Sequence, residues 1–299
     1  MATRVLSKQQ VRRHRRTART RRIASSVFFQ LVVTIFASAF ALPFFWLLLS
    51  SVKSNAELIK FPPTFWPEQI VLGNWPRTLQ GYSFATWFQN TLFLSANAAI
   101  GSVVSCSLVA YGFSRIRWLG RNLLFGLCLG TMMLPGLVTQ IPVYIIWRRL
   151  GLLGTFYPLT VGAWLASPYF IFLLCQFFRT IPEELGDAAR VDGCREFGIF
   201  RHIFLPLSKP ALAVVALFAF VSTWGDVMGP LIYLKRRSMY TLALGLKLMQ
   251  DTSGLTTPER SDWAGMMVGT AVAAIPVIVL FFFTQKTFIE GVTFTGLKE

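Results

Sequence analysis

The chain has 299 residues, of which 54% are apolar and only 14% charged, with a net charge of +16. Soluble domains carry about 25% charged residues, so this chain lacks the polar surface to cover itself in water. Its 28 Phe and 9 Trp equally exclude a disordered chain.

The basic charge is uneven, with nine of the 29 Lys and Arg in the first 22 positions and no acid among them. Residues 1–22 form a basic leader, and the stretch 23–52 that follows contains no charge. A signal-peptide core is roughly 7–15 residues, so 23–52 is expected to be an uncleaved spanning helix. The leader is then assigned to the cytoplasmic side, against anionic lipid rather than nucleic acid.

A bilayer core accommodates roughly 20 helical residues. Six stretches reach that length, at about 23–52, 87–113, 123–146, 156–178, 211–234 and 264–285. Helices satisfy their own backbone in lipid, so the fold class is an all-α polytopic membrane protein of six transmembrane helices. With the leader inside, cytoplasmic segments hold 19 Lys and Arg against ten outside, and both termini are expected in the cytoplasm. The outer segments are then 53–86, 147–155 and 235–263, and the inner loops 114–122 and 179–210. The first and last outer segments are long and rich in Trp, Pro and Gly, which suits a surface for an external partner or a plain cover.

Chemistry-bearing motifs are sparse. The sequence has no Gly-x-x-x-x-Gly-Lys-Ser/Thr, no His-Glu-x-x-His and no Gly-x-Ser-x-Gly. His14 and His202 have no second ligand nearby in sequence, and Cys106, Cys128, Cys175 and Cys194 form no Cys-x-x-Cys pair. A noncatalytic membrane protein with neither cofactor nor metal is expected. Asp226 is the only acid in any expected span. A carboxylate at that depth faces protein or a wet cavity, so Asp226 either lines a pathway or bonds to backbone freed by Gly229-Pro230. Trp224, Asn90, Gln140 and Tyr144 are candidates for the same pathway, with structural roles the alternative.

The loop 179–210 is the most informative segment. Thr180-Ile181-Pro182-Glu183 fits a capping box, with Thr180 as N-cap and Glu183 reaching back. A helix is expected to follow, with Leu185, Ala188 and Ala189 on one face. Asp192-Gly193 ends it through a left-handed glycine. A second short helix, about 195–204, is expected to close at Leu205-Pro206. Such a knob suits a partner's groove or a lipid face.

Asp187-Ala188-Ala189-Arg190-Val191-Asp192-Gly193, with Ile203-Phe204-Leu205-Pro206, resembles the EAA loop of ABC importer permeases. The spacing holds throughout, with Asp187 in place of Glu. Further strings, from Ser51-Val52-Lys53 through Phe61-Pro62-Pro63 and Gly229-Pro230-Leu231 to Gln285-Lys286, are similar to the carbohydrate-uptake, maltose-type branch, and to its six-span rather than its eight-span permease. The resemblance implies a type I ABC importer permease. It would form half of a pore with a second related permease and carry a sugar, such as a di- or oligosaccharide. Two ATPase subunits holding ATP and Mg would bind the loops, and an external solute-binding protein would deliver cargo. The residues implied in ATPase coupling are Glu184, Leu185, Asp187, Ala188, Ala189, Asp192, Gly193, Phe197, Leu205 and Pro206. A glycerol phosphate ester as cargo, and a stand-alone secondary transporter or channel, are the alternatives. Either way the chain belongs in a bacterial or archaeal cell membrane.

Overall fold

The structure, a computed structural model, describes the backbone of residues 8–255 and 262–295, and the side chains of 25–251 and 262–285. The leader's side chains, residues 256–261 of the last outer segment and the side chains of the C-terminal tail from 286 lie outside the described residues.

The first helix, α1 (Lys8–Ser51), starts inside the leader and continues without a break through the first expected span. Two short helices, α2 (Asn55–Leu58) and α3 (Asn74–Gly81), lead to α4 (Phe84–Ser114), the longest buried element. Ser95, Ala98, Gly101 and Ser102 lie buried along α4. Small residues let neighbouring helix backbones approach closely; the Trp164 indole sits directly over Gly101.

Four described helices are long and apolar enough to cross a membrane: 25–51, 84–114, 157–180 and 263–285. The third and fifth expected spans are not single rods. The stretch 123–146 is α5 (Arg121–Thr131) and α6 (Gly136–Arg149), bent by 100°. Pro135, extended at ψ 131°, stands at the break. A proline disfavours helical geometry in the residue before it and removes one amide donor, so the helix stops here. The next span is α7 (Tyr157–Trp164) and α8 (Pro168–Thr180), turned at Ala166. The Ser105 hydroxyl of α4 donates to the Ala163 carbonyl at 3.1 Å, close to this turn.

The loop that follows holds α9 (Glu183–Val191), α10 (Glu196–Ile199), a π-helical turn at Phe200–Phe204 and α11 (Leu205–Leu207). It leads into α12 (Lys209–Trp224), which stops at Gly225 before α13 (Met228–Tyr233). The fifth expected span is therefore interrupted at Asp226.

The expected outer loop 235–263 is for the most part a packed helix, α14 (Leu242–Leu255). Leu242, Leu244 and Met249 are buried, and a side chain at Gly245 would collide with the Trp87 ring. The last helix, α15 (Trp263–Thr295), packs on α1, α12 and α14.

The bundle has two apolar centres. One joins α4, α8, α12 and the 179–210 loop, through Cys106, Leu174, Phe178, Ala189, Phe200, Phe204 and Val215. The other gathers Phe84, Trp87, Trp224, Leu242 and Met249 at the opposite end of α4. By contrast α5 and α6 contain no buried residue, and α1 from 25 to 45 is almost wholly exposed.

Segment 53–86 is a built cap. Lys53 and Glu57 form an ion pair of 3.8 Å with both side chains almost fully buried. The Lys53 ammonium also donates to the Thr64 carbonyl and lies 4.7 Å from the Trp46 ring centroid. Glu57 accepts from the Thr64 hydroxyl at 2.7 Å and from the Glu68 amide at 3.1 Å. Removing one partner of a buried pair strands the other charge, at about 3–5 kcal/mol. Lys53→Met is therefore expected to lower the thermal unfolding midpoint in detergent strongly, and Lys53→Met/Glu57→Gln to recover part of the loss.

Candidate coupling site and pathway residues

The loop is held to the bundle by groups at the end of α4. Arg115, whose side chain is 6% exposed, donates to the carbonyls of Phe178 and Ile181 at the end of α8. A helix C-terminus leaves its last carbonyls without intrahelical partners, and a guanidinium with five donors satisfies two of them at once. Arg115 also lies 3.8 Å from Glu183 and 4.9 Å from the Phe204 ring centroid.

One turn earlier, the Tyr111 hydroxyl donates to Glu196 at 2.7 Å. Glu196 accepts from Arg190 at 2.8 Å, and Arg190 reaches Asp187 at 2.6 Å. The chain Tyr111–Glu196–Arg190–Asp187 thus ties α4 to both loop helices. Between them lies a cleft of about 480 Å³ lined by Arg115, Glu183, Asp187, Arg190, Glu196 and Phe204, among others.

The Thr180 capping box does not form. Thr180 is still in α8, where its hydroxyl donates to the Phe177 carbonyl at 2.7 Å. Pro182 stands before α9 with no side-chain cap, and the Glu183 carboxylate turns instead toward Arg115 and Arg117. Nor does Leu205-Pro206 close the second helix. The helix widens to π geometry at Phe200–Phe204 and continues to Leu207. Pro206 lacks the amide that the His202 carbonyl would need in an α-helix, and the Leu205 amide bonds to Phe200 instead.

Gly193 adopts φ 83°, the left-handed turn expected of it. The expected face of α9 splits. Gly186 and Ala189 are buried against the chain's own core, whereas Leu185, Ala188 and Val191 are exposed, as are Glu184, Asp187 and Asp192. Phe197 on α10 is 65% exposed. Leu205 is half-buried and Pro206 exposed. Leu185 and Ala188 at i and i+3, with Phe197 beyond the turn, leave an apolar surface that this chain does not cover. Sequence reading missed Tyr111 and Arg115. A polar residue one turn from the end of an apolar span, facing an acid-containing loop, is the signal that was available.

The pathway candidates separate into two groups. Asn90 donates to the carbonyls of Ser238 and Tyr240 at 2.9 and 3.0 Å, clamping the strap before α14. Trp224 is buried, stacked on Phe220 at 5.4 Å, edge-on to Phe88 at 5.6 Å, and donates to the Ala273 carbonyl at 3.0 Å. The ring is thus enclosed within this chain, with one face stacked on Phe220. Asp226 accepts from the Gly229 amide at 3.1 Å at the start of α13, the bond to freed backbone that was the structural alternative. Gly229 is enclosed by Asp226 and Leu159. Tyr144 stacks on Tyr233, at the other end of α13, with ring centroids 6.2 Å apart, and Gln140 lies one turn before it on α6. The structure thus draws Gln140, Tyr144 and Asp226 to the two broken spans, and places Asn90 and Trp224 in structural contacts.

Residues 102–293 match the family described as binding-protein-dependent transport system inner membrane component, and the chain belongs to that family. Its relatives are sugar-uptake permeases. It is 32% identical over 280 residues to the arabinooligosaccharides transport system permease protein AraQ of Bacillus subtilis, covering 93% of this chain and 96% of that one. It is 33% identical over 232 residues to the maltodextrin transport system permease protein MdxG of the same organism, covering 76% and 80%. A bacterial ABC transporter involved in the import of the acidic polysaccharide alginate shares its fold, with TM-score 0.74, 24% identity and coverage of 95% and 99%. The chain is therefore a multi-pass cell-membrane permease of the ABC sugar-transport type.

The Glu196 carboxyl is held below its ordinary value of 4.5, first by the Arg190 hydrogen bond and then by that from Tyr111, against the opposing effect of burial. A group depressed in the folded state stabilises above its unfolded pKa and loses that effect as pH falls through the folded value. A spin label on the exposed Cys194 is expected to keep constant mobility at neutral pH and to gain it only as pH drops below about 4.5. Tyr111→Phe removes a bond to a charged acceptor, worth about 1–2 kcal/mol at this partly exposed site, and should mobilise the label already at pH 7.

Proposed function

We propose that this chain is one of two permeases forming the pore of an ATP-driven importer for a di- or oligosaccharide. ATP and Mg belong to two separate ATPase subunits, and an external solute-binding protein delivers the sugar. The carrying observation is the loop 183–197. It is braced to α4 through Tyr111 and Arg115, yet leaves Leu185, Ala188 and Phe197 uncovered. A rigid attachment on one side and an apolar face on the other suit an element that transmits a partner's motion.

A second permease is supported by α5 and α6, which bury no residue within this chain although Leu123, Leu137 and Ile141 are all more than 65% exposed. In this reading six spans, two of them broken, put both termini and the loop in the cytoplasm, in the inner membrane of a bacterium or archaeon. The transport of arabinooligosaccharides and of maltodextrin by two relatives supports an oligosaccharide cargo. A solved alginate transporter in complex with an alginate pentasaccharide-bound periplasmic protein supports the external partner.

The test separates the two sides of α9. Ala188→Arg is expected to abolish transport and release the ATPase subunits on purification while the thermal midpoint of this chain is unchanged. Ala189→Arg drives a long cation into the chain's own core and should instead destabilise the permease itself. Gly193→Val imposes roughly 1–3 kcal/mol of backbone strain at positive φ and should uncouple hydrolysis from sugar uptake. Normal transport and normal ATPase retention in Ala188→Arg would end the coupling assignment.

Gln140 and Tyr144 on α6, and Asp226 at the start of α13, are assigned to the pathway wall. Asp226→Asn keeps an acceptor for the Gly229 amide and removes the charge. Uptake is expected to fall by about tenfold or more with assembly intact, as for a lost charged contact of about 1.4 kcal/mol. Unchanged uptake would leave Asp226 with its capping role alone.

A further inference from the structure

Four arginines collect where three apolar helices end. Arg115 follows α4, Arg179 lies in the last turn of α8, Arg121 opens α5, and Arg117 lies in the connection between α4 and α5. With Ser114 and Glu183 they line a cleft of about 330 Å³. Glu183 is the single carboxylate, and it is shared between Arg115 at 3.8 Å and Arg117 at 4.0 Å. Arg121 contacts only the Asn122 side chain and the Ile116 carbonyl. Arg179 lies over the Phe125 ring at 5.6 Å. Among the described residues neither meets an acid.

Two further observations point to an anion. The buried Nε of Arg115, on a side chain 94% withdrawn from solvent, has no hydrogen-bond partner among the described residues. The N-terminus of α5 follows Gly120 with no side-chain cap; the Arg121 amide bonds the Trp118 carbonyl, and the positive end of the helix dipole has no side-chain oxygen capping it. Three guanidinium groups in excess, an orphaned donor and a helix start together define an oxyanion site.

The depth indicates the source. All three helices end here, which is the level of the phospholipid headgroups. The same connection carries Trp118, an interfacial residue type, and Leu119, an apolar side chain that this chain leaves wholly exposed beside the cations. We propose that this cleft binds a phosphate group, supplied by an anionic phospholipid of the adjacent leaflet. The site is separate from the exposed α9–α10 face and does not depend on its role in coupling.

The full-length protein in a neutral detergent is titrated with short-chain phosphatidylglycerol, short-chain phosphatidylcholine and inorganic phosphate, and bound adducts are counted by native mass spectrometry. Phosphatidylglycerol should bind well above phosphatidylcholine. Arg121→Gln/Arg179→Gln should weaken it by roughly 30-fold, two basic groups at the lipid surface being removed. Arg148→Gln/Arg149→Gln, the same charge change at the far end of α6, should leave it unchanged. If the first double variant does not fold, Arg121→Gln alone carries the test, with a loss of roughly fivefold. Equal binding of phosphatidylglycerol by wild type and by the Arg121 variants overturns the site. Inorganic phosphate that binds as tightly as the lipid, and is lost in the same variants, overturns the lipid as its source.

Discussion

A helix that ends beside the membrane leaves carbonyls that water reaches poorly, and the structure turns on how α8 resolves this. The Arg115 guanidinium enters from α4 and takes the carbonyls of Phe178 and Ile181, while Phe204 lies against its other face. Satisfying α8 in this way places the start of α9 within reach of α4, and Tyr111 then reaches Glu196. The loop between α8 and α12 is consequently part of the bundle. α9 and α10 are thereby tied to α4, the helix on which α7, α8 and α12 all pack. Charge-assisted bonds are short and directional, so the loop is fixed to α4 in one orientation.

The breaks in the spans follow the same logic with the opposite outcome. At Pro135 and at Gly225 backbone groups are released within apolar segments, and no described guanidinium comes to meet them. At Gly225 the response is local: Asp226 turns back to the Gly229 amide and restarts the chain as α13. Non-helical backbone at this depth is tolerated where protein or a wet cavity covers it. Beyond these breaks α6 and α13 touch through the stacked Tyr144 and Tyr233 rings. The packed faces of α4, α8 and α12 contrast with α5 and α6, which bury no residue within this chain.

The loop was legible in sequence because its signals are local. Gly193 marks the positive φ of the turn, and the spacing from Asp187 to Gly193 and on to Pro206 carries the resemblance to the permease family. The membrane class was legible for an equally simple reason, since 14% charged residues cannot solvate a body of this size. Less legible was which side of an element meets which neighbour. Leu185, Ala188 and Ala189 share a helical face by period, yet Ala189 turns inward and Ala188 outward, because the bundle approaches α9 from the Gly186 side. Trp224 has the composition of a sugar platform, but Phe220 is stacked on it and Phe88 stands edge-on. Asn90 reads as a polar group in a span, and its role as a clamp exists only once residues 238 and 240 fold back over α4.

Composition and apolar run length by themselves determined that the chain enters a bilayer as helices, because lipid admits no other open backbone, and local turn chemistry determined that two short helices would pivot at Gly193. Tertiary structure alone decided where the spans break, since a proline or glycine in an apolar run is compatible with either a straight or a broken helix until neighbours do or do not satisfy the freed carbonyls. It alone decided the identity of the joint as well. Tyr111, Arg115 and Glu196 stand up to 85 positions apart, and the hydrogen bonds that unite them depend on distances that only the packed bundle sets.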